Sequence, residues 1–171
     1  DGRIKTLDQY QGDQPMIVRG TVRDIDGAPL GGVLVDMWSS TPDGKYGGIH
    51  DGVPVDFYRG KLKTDAGGRF EFRSTVPVAY RIPDSGPTGA LLEMMGRHSW
   101  RPAHVHLKVR SEGYRELTTQ LYFEECPYVR SDCCEGIIPS KFVYPEIVEN
   151  GARILEADLV IEPDRSARAA A

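Results

Sequence analysis

The sequence contains no long apolar run. Its longest, such as Gly31 to Val35, falls far short of the ~20 residues a membrane-spanning helix needs. Cysteine is scarce too: the chain has three, an odd number, with two adjacent at Cys133 and Cys134. That is neither a disulfide framework nor a zinc-binding spacing, and the chain reads as cytoplasmic. A basic stripe is also missing, because 21 Lys and Arg are scattered among 25 Asp and Glu, for a net charge of −4. This removes the electrostatic footprint of a nucleic-acid binder. Asp1 to Tyr10 shows no basic-then-apolar signal pattern. There is no internal repeat, and the only biased segment is the Ala-rich tail from Ala167 to Ala171, which reads as frayed.

What remains is 171 residues, 40% hydrophobic and 27% charged, enough for one soluble domain that buries roughly two-thirds of its unfolded surface. Apolar residues alternate at Met16, Val18, Gly20 and Val22, and a second run covers Val33 to Trp38 beyond Asp26-Gly27, which reads as a hairpin or sheet pair. Thr64-Asp65-Ala66-Gly67-Gly68 separates Lys61 to Lys63 from Phe70-Glu71-Phe72 as a second hairpin. Further alternating runs lie at Ala103 to Val109, Leu117 to Phe123 and Leu155 to Ile161. The expectation is an all-β, mainly antiparallel, two-sheet β-sandwich with one short inserted helix, Thr88 to Met95, opened by Pro87 and stopped by Gly96. The Gly-, Pro- and Asp-rich stretch from Ser39 to Arg59 reads as a long loop of the kind that carries function.

Alternation along a strand projects His104 and His106 from one face and Val105, Leu107 and Val109 from the other, so two imidazoles converge. If the turn into Leu117 to Phe123 centres on Gly113, residues 104 to 106 oppose 120 to 122, and Gln120 faces His106. Arg101, just before Pro102, can reach over the end of that strand. An amide and a guanidinium beside paired histidines suit an anionic, oxygen-rich ligand. No local Asp or Glu completes a two-histidine, one-carboxylate triad. Phenolates could supply the missing negative charge, and hard phenolate oxygen favours iron(III).

The run Gly96-Arg97-His98-Ser99-Trp100-Arg101-Pro102-Ala103-His104-Val105-His106 resembles the signature of the intradiol ring-cleavage dioxygenases. Further matches follow the same order along the chain: Asp36-Met37-Trp38 then Tyr46, Val76-Pro77-Val78-Ala79-Tyr80, Gly86-Pro87-Thr88, and Leu117-Thr118-Thr119-Gln120. The resemblance implies a single catalytic domain over residues 1–171 without the N-terminal helical segment of the family's catechol branch, and it leaves a homodimer open. It implies non-haem Fe(III) held by Tyr46, Tyr80, His104 and His106, although Tyr58 is a second phenol of the same loop. Arg101 and Gln120 fall beside the substrate ring, and Tyr80 serves also as a proton acceptor.

The implied activity opens catechol between its two hydroxylated carbons with O2, giving a cis,cis-muconate. A charge count agrees with it. Iron(III) with two phenolates and a hydroxide is neutral, as it is with Tyr46 and a catecholate dianion, so binding buries no net charge. The interval between Tyr80 and His104, with its helix, resembles the catechol and hydroxyquinol branch, and Cys134 falls on a pocket-wall position that would admit a chloro or methyl substituent. The alternatives are a hydroxyquinol dioxygenase, a zinc protein using the two histidines, and a transthyretin-like non-catalytic module.

Overall fold

The computed structural model describes residues 2–135, 143–144 and 146–164; the tail from Ala167 to Ala171 lies outside them. Along the chain run β1 (Pro15–Arg23), β2 (Leu34–Ser39), β3 (Arg59–Lys63), β4 (Arg69–Thr75), β5 (Tyr80–Arg81), α1 (Pro87–Met94) and β6 (Trp100–Arg101). β7 (His104–Arg110), β8 (Leu117–Phe123), β9 (Val143–Tyr144), β10 (Val148–Glu149), β11 (Ala152–Glu156) and β12 (Leu159–Val160) follow. No helix among the described residues is long and apolar enough to cross a membrane.

β1 is the middle of the first sheet. The alternating Met16, Val18 and Val22 are buried because that face meets the second sheet. β4 pairs with β1 antiparallel, while β11 and then β12 pair with it parallel on the other side, with β10 beyond β11. The break between β11 and β12 presses Ala157 onto β1, where its N–H donates to the Arg19 carbonyl at 2.8 Å. A Cβ at Gly20 would lie 1.8 Å from the Ala157 carbonyl oxygen, so only glycine fits there.

The second sheet runs β3-β2-β7-β8-β9, antiparallel except for the last pair. Its inner face supplies Val35, Met37, Val105, Leu107, Val109 and Leu121, which share one core with Val18, Phe70, Phe72 and Leu155 of the first sheet. At about 1.5–3 kcal/mol for each large apolar side chain removed from water, this shared core holds the two layers face to face as a β-sandwich. The outer face of the second sheet is the one that bears His104 and His106.

Two expectations need correction. β1 and β2 are not a hairpin, and neither are β3 and β4, since in each case the two strands lie in different sheets. Both tight turns do form. Asp24 Oδ1 accepts the N–H groups of Asp26 and Ala28, and Arg23 pairs with Pro29. The chain then crosses to the other sheet through Gly31-Gly32, with Gly32 at φ 76°. The helix begins one residue earlier than expected and ends one earlier. Residues 40–58 form neither helix nor strand, as the composition of that stretch implies.

Candidate metal centre

The register of the second sheet sets a row of side chains across its outer face: Arg59 on β3, Trp38 on β2, His106 on β7 and Gln120 on β8, each the direct cross-strand partner of the next. One pair along, His104 faces Tyr122. The expected pairing of His106 with Gln120 is therefore found.

His104 is almost wholly buried, and its Nδ1 lies 2.7 Å from the Pro102 carbonyl oxygen. A carbonyl can only accept, so Nδ1 carries the proton and Nε2 presents its lone pair. That Nε2 is 3.0 Å from Nε2 of His106. The two ring nitrogens therefore converge on one point above the sheet. Burial lowers the pKa of both rings, to about 4 for His104 and about 3 for His106, with each other's proximity and Arg101 adding to the effect on His106. Both are neutral imidazoles at ordinary pH, the form that ligates metals.

Two phenols close the cluster. Thr41 to Lys45 form a tight turn in which Thr41 N–H donates to the Lys45 carbonyl at 2.8 Å and Asp43 takes both the Thr41 hydroxyl and Lys45 Nζ. Gly44, at φ 85°, packs so near Tyr80 that a Cβ would sit 3.0 Å from that residue's Cβ. The turn delivers Tyr46. Tyr80 arrives on the two-stranded ribbon of β5 and β6, directly opposite Arg101. The four rings then form a closed cycle: Tyr46 to Tyr80 5.2 Å between centroids, Tyr80 to His104 5.7 Å, His104 to His106 4.6 Å, and His106 to Tyr46 6.3 Å.

The Tyr46 hydroxyl is fully buried and lacks a hydrogen-bond partner among the described residues. Burial, and then the neighbouring Tyr80 phenol, push its pKa well above the usual range. Tyr58 is excluded from the cluster, since it is buried elsewhere and its hydroxyl accepts the Leu7 N–H at 3.2 Å.

Arg101 sits over the histidines, with its terminal nitrogen 3.5 Å from His104 Nε2. It donates to Gln120 Oε1 at 2.9 Å and, through Nε and Nη2, to both carboxylate oxygens of Asp132 at 3.2 Å. Burial opposes the guanidinium charge, but Asp132 outweighs it and raises the pKa. The Tyr122 hydroxyl also donates to Gln120 Oε1, at 2.5 Å, which commits the amide oxygen and leaves the amide NH2 as the donor.

Asp132 and Tyr122 were not expected from the sequence. Tyr122 was within reach, being two residues from Gln120 and so on the same face. No local pattern ties Asp132 to Arg101. Cys134 lies on the Asp132 turn with its side chain exposed and Sγ 3.3 Å from that of Cys133. This second group of metal-binding residue types is the weaker one, because Asp132 is committed to Arg101 and burial, with Cys134 beside it, raises the Cys133 thiol to about 12.

Comparison with known proteins matches a family described as Dioxygenase over residues 2–166. Chlorocatechol 1,2-dioxygenase of Cupriavidus pinatubonensis is 53% identical over 97% of this chain and 64% of its own length. That of Pseudomonas sp. strain P51 is 54% identical over 96% and 64%. The crystal structure of chlorocatechol 1,2-dioxygenase from Pseudomonas putida superposes with a TM-score of 0.89 at 53% identity, covering 94% of this chain and 65% of that one. The chain thus spans slightly less than two-thirds of the relatives it matches. With identity above half along nearly all its length and the same fold, the chain belongs to the intradiol ring-cleavage dioxygenase family, in its catechol and chlorocatechol branch.

Proposed function

We propose that residues 1–171 are a catalytic domain that cleaves catechol, or a chloro- or methyl-substituted catechol, between its hydroxylated carbons with O2, using non-haem iron(III) held by Tyr46, Tyr80, His104 and His106. One observation carries the reading: two neutral imidazoles with Nε2 atoms 3.0 Å apart share a ring cluster with a buried phenol, Tyr46, whose hydroxyl makes no well-formed hydrogen bond among the described residues. An unpaired buried hydroxyl costs about 1–3 kcal/mol, and ligation as phenolate would remove that cost. Two nitrogens and two hard oxygens suit iron(III) better than a soft or divalent ion.

Bound there, ferric iron would supply Lewis acidity and redox reactivity toward the ring and oxygen. The chain's own contribution is distinct. Tyr80, as a phenolate on the ribbon edge, offers Oη as the acceptor for a proton from an entering catechol hydroxyl. Arg101, fixed by Asp132, holds a positive charge where negative charge develops on the ring, and the Gln120 amide NH2 donates beside it. Arg101 is buried, which removes water from around this charge and so strengthens it. The similarity to relatives named chlorocatechol 1,2-dioxygenase supports a substrate without a ring carboxylate.

Purified protein should be coloured, because phenolate-to-iron(III) charge transfer absorbs visible light, and Tyr46→Phe and Tyr80→Phe should each shift or weaken the band. Catechol should drive oxygen uptake without peroxide. A colourless, iron-free protein with full activity would overturn the ligand assignment, and an active zinc form would replace it.

A further inference from the structure

His104 and His106 leave one face of β7 but are held by different means. The His104 ring is fixed by its Nδ1–H on the Pro102 carbonyl. Among the described residues no hydrogen bond restrains Nδ1 of His106. Its ring is instead held by the Trp38 indole, which lies 4.6 Å away between centroids and is inclined by only 7°. Register sets this stack, since Trp38 is the direct cross-strand partner of His106. The opposite indole face is closed by Arg59, the partner of Trp38 on β3, whose guanidinium carbon is 4.9 Å from the ring centre. Arg59 is itself held at 2.7 Å by Asp36, a carboxylate only 2% exposed that projects from the same face of β2 two residues before Trp38.

Guanidinium, indole and imidazole thus form three layers, the indole and imidazole nearly parallel, anchored by a buried carboxylate. Packing alone does not explain them. The stack lies on the outer face, away from the core between the sheets, and the buried Asp36 is compensated among the described residues by Arg59, which it holds over the indole, and at 3.7 Å by Lys61. The plane of an imidazole fixes the direction of its nitrogen lone pair, and metal-ligating histidines usually gain that restraint from a hydrogen bond on the other ring nitrogen.

We infer that Trp38, clamped by Arg59 and Asp36, is a positioning residue that fixes the plane of the His106 imidazole in place of that hydrogen bond. Its consequence for iron rests on the ligand reading proposed above; its consequence for the ring does not.

Chelator competition and the NMR signals of the His106 ring test the two parts separately. Trp38→Leu should weaken iron binding about 10- to 100-fold, the range usual for loss of a residue that orients a ligand, and should broaden the ferric EPR signal. Trp38→Phe should restore most of the affinity, and Arg59→Met, at a half-exposed position, should show a smaller loss while remaining folded. In the iron-free protein the carbon-bound His106 ring protons should be shifted upfield by the indole and return downfield in Trp38→Leu. If wild type and all variants hold iron equally with the same spectrum, the inference fails and the ligand reading stands. If wild type binds no iron, the ligand reading fails, and ring protons unmoved by Trp38→Leu would then sink the inference as well.

Discussion

At Arg101 the planar donor fork matters as much as the charge, because Nε and Nη2 grip both oxygens of Asp132 while Nη2 also reaches Gln120. A lysine ammonium cannot span these partners. Arg101→Lys should keep the fold and the iron yet lower kcat by about 10²–10³, as removal of one electrostatic stabiliser typically does; unchanged turnover would leave Arg101 a structural role only. Removing its partner is a different lesion. Asp132→Ala leaves a buried guanidinium without its counter-charge, and urea denaturation should record a loss of about 3–5 kcal/mol. Substrate choice belongs at this scale too. Should Cys134 line the ring pocket, Cys134→Leu should penalise substituted catechols by about 1–3 kcal/mol in kcat/KM and spare catechol itself. The parent should turn over catechol and at least one of 3-chlorocatechol, 4-chlorocatechol and 4-methylcatechol, and reject protocatechuate; protocatechuate as best substrate would refute the branch-based choice. The convergence of His104 and His106 was legible from strand alternation alone. That Asp132 anchors Arg101 was not, because the two come from separate segments and meet only in the folded chain.

Among the elements, the turn from Thr41 to Lys45 is the one whose chemistry is most exposed to pH. Burial would raise the Asp43 pKa, but hydrogen bonds from Thr41, Lys45 and Tyr10 outweigh it and bring the value to about 2 from 3.8. A carboxyl depressed on folding contributes stability that is complete above its unfolded pKa and lost as pH falls through its folded one. Wild type should therefore lose more stability between pH 3.8 and about 2 than Asp43→Asn does, read as the shift in urea midpoint; parallel acid limbs would show that the turn is held by its backbone alone. Elements were easier to foresee than their partners. The alternation of Met16, Val18 and Val22 marks a half-buried strand, and Asp24 to Ala28 and Asp65 to Arg69 do turn as their residues require. Yet alternation says which face is apolar, not which strand lies alongside. A two-sheet core rewards β2 for joining β7 and β4 for joining β1, and a local hairpin signal cannot compete with burial on that scale.

Over the whole molecule, β7 serves two faces at once, with Val105, Leu107 and Val109 in the core and His104 and His106 in the ring cluster. Leu107 is fully buried, so Leu107→Ala should cost about 2–5 kcal/mol. The loss should appear as a lower urea midpoint and as a lower iron content, because the strand that loosens is the one carrying both histidines. Leu91→Ala, on an exposed site of α1, should stay within about 0.5 kcal/mol of wild type; equal effects would mean that β7 does not couple core to site. The shared strand also governs how errors are handled during threading. Slipping β7 by a single residue would drive His104, His106 and Lys108 inward and turn three aliphatic side chains out. Such a copy would fail as a folded protein before it could persist with a scrambled ring cluster, so the smallest registry error eliminates itself and strand pairing doubles as inspection of the histidine pair.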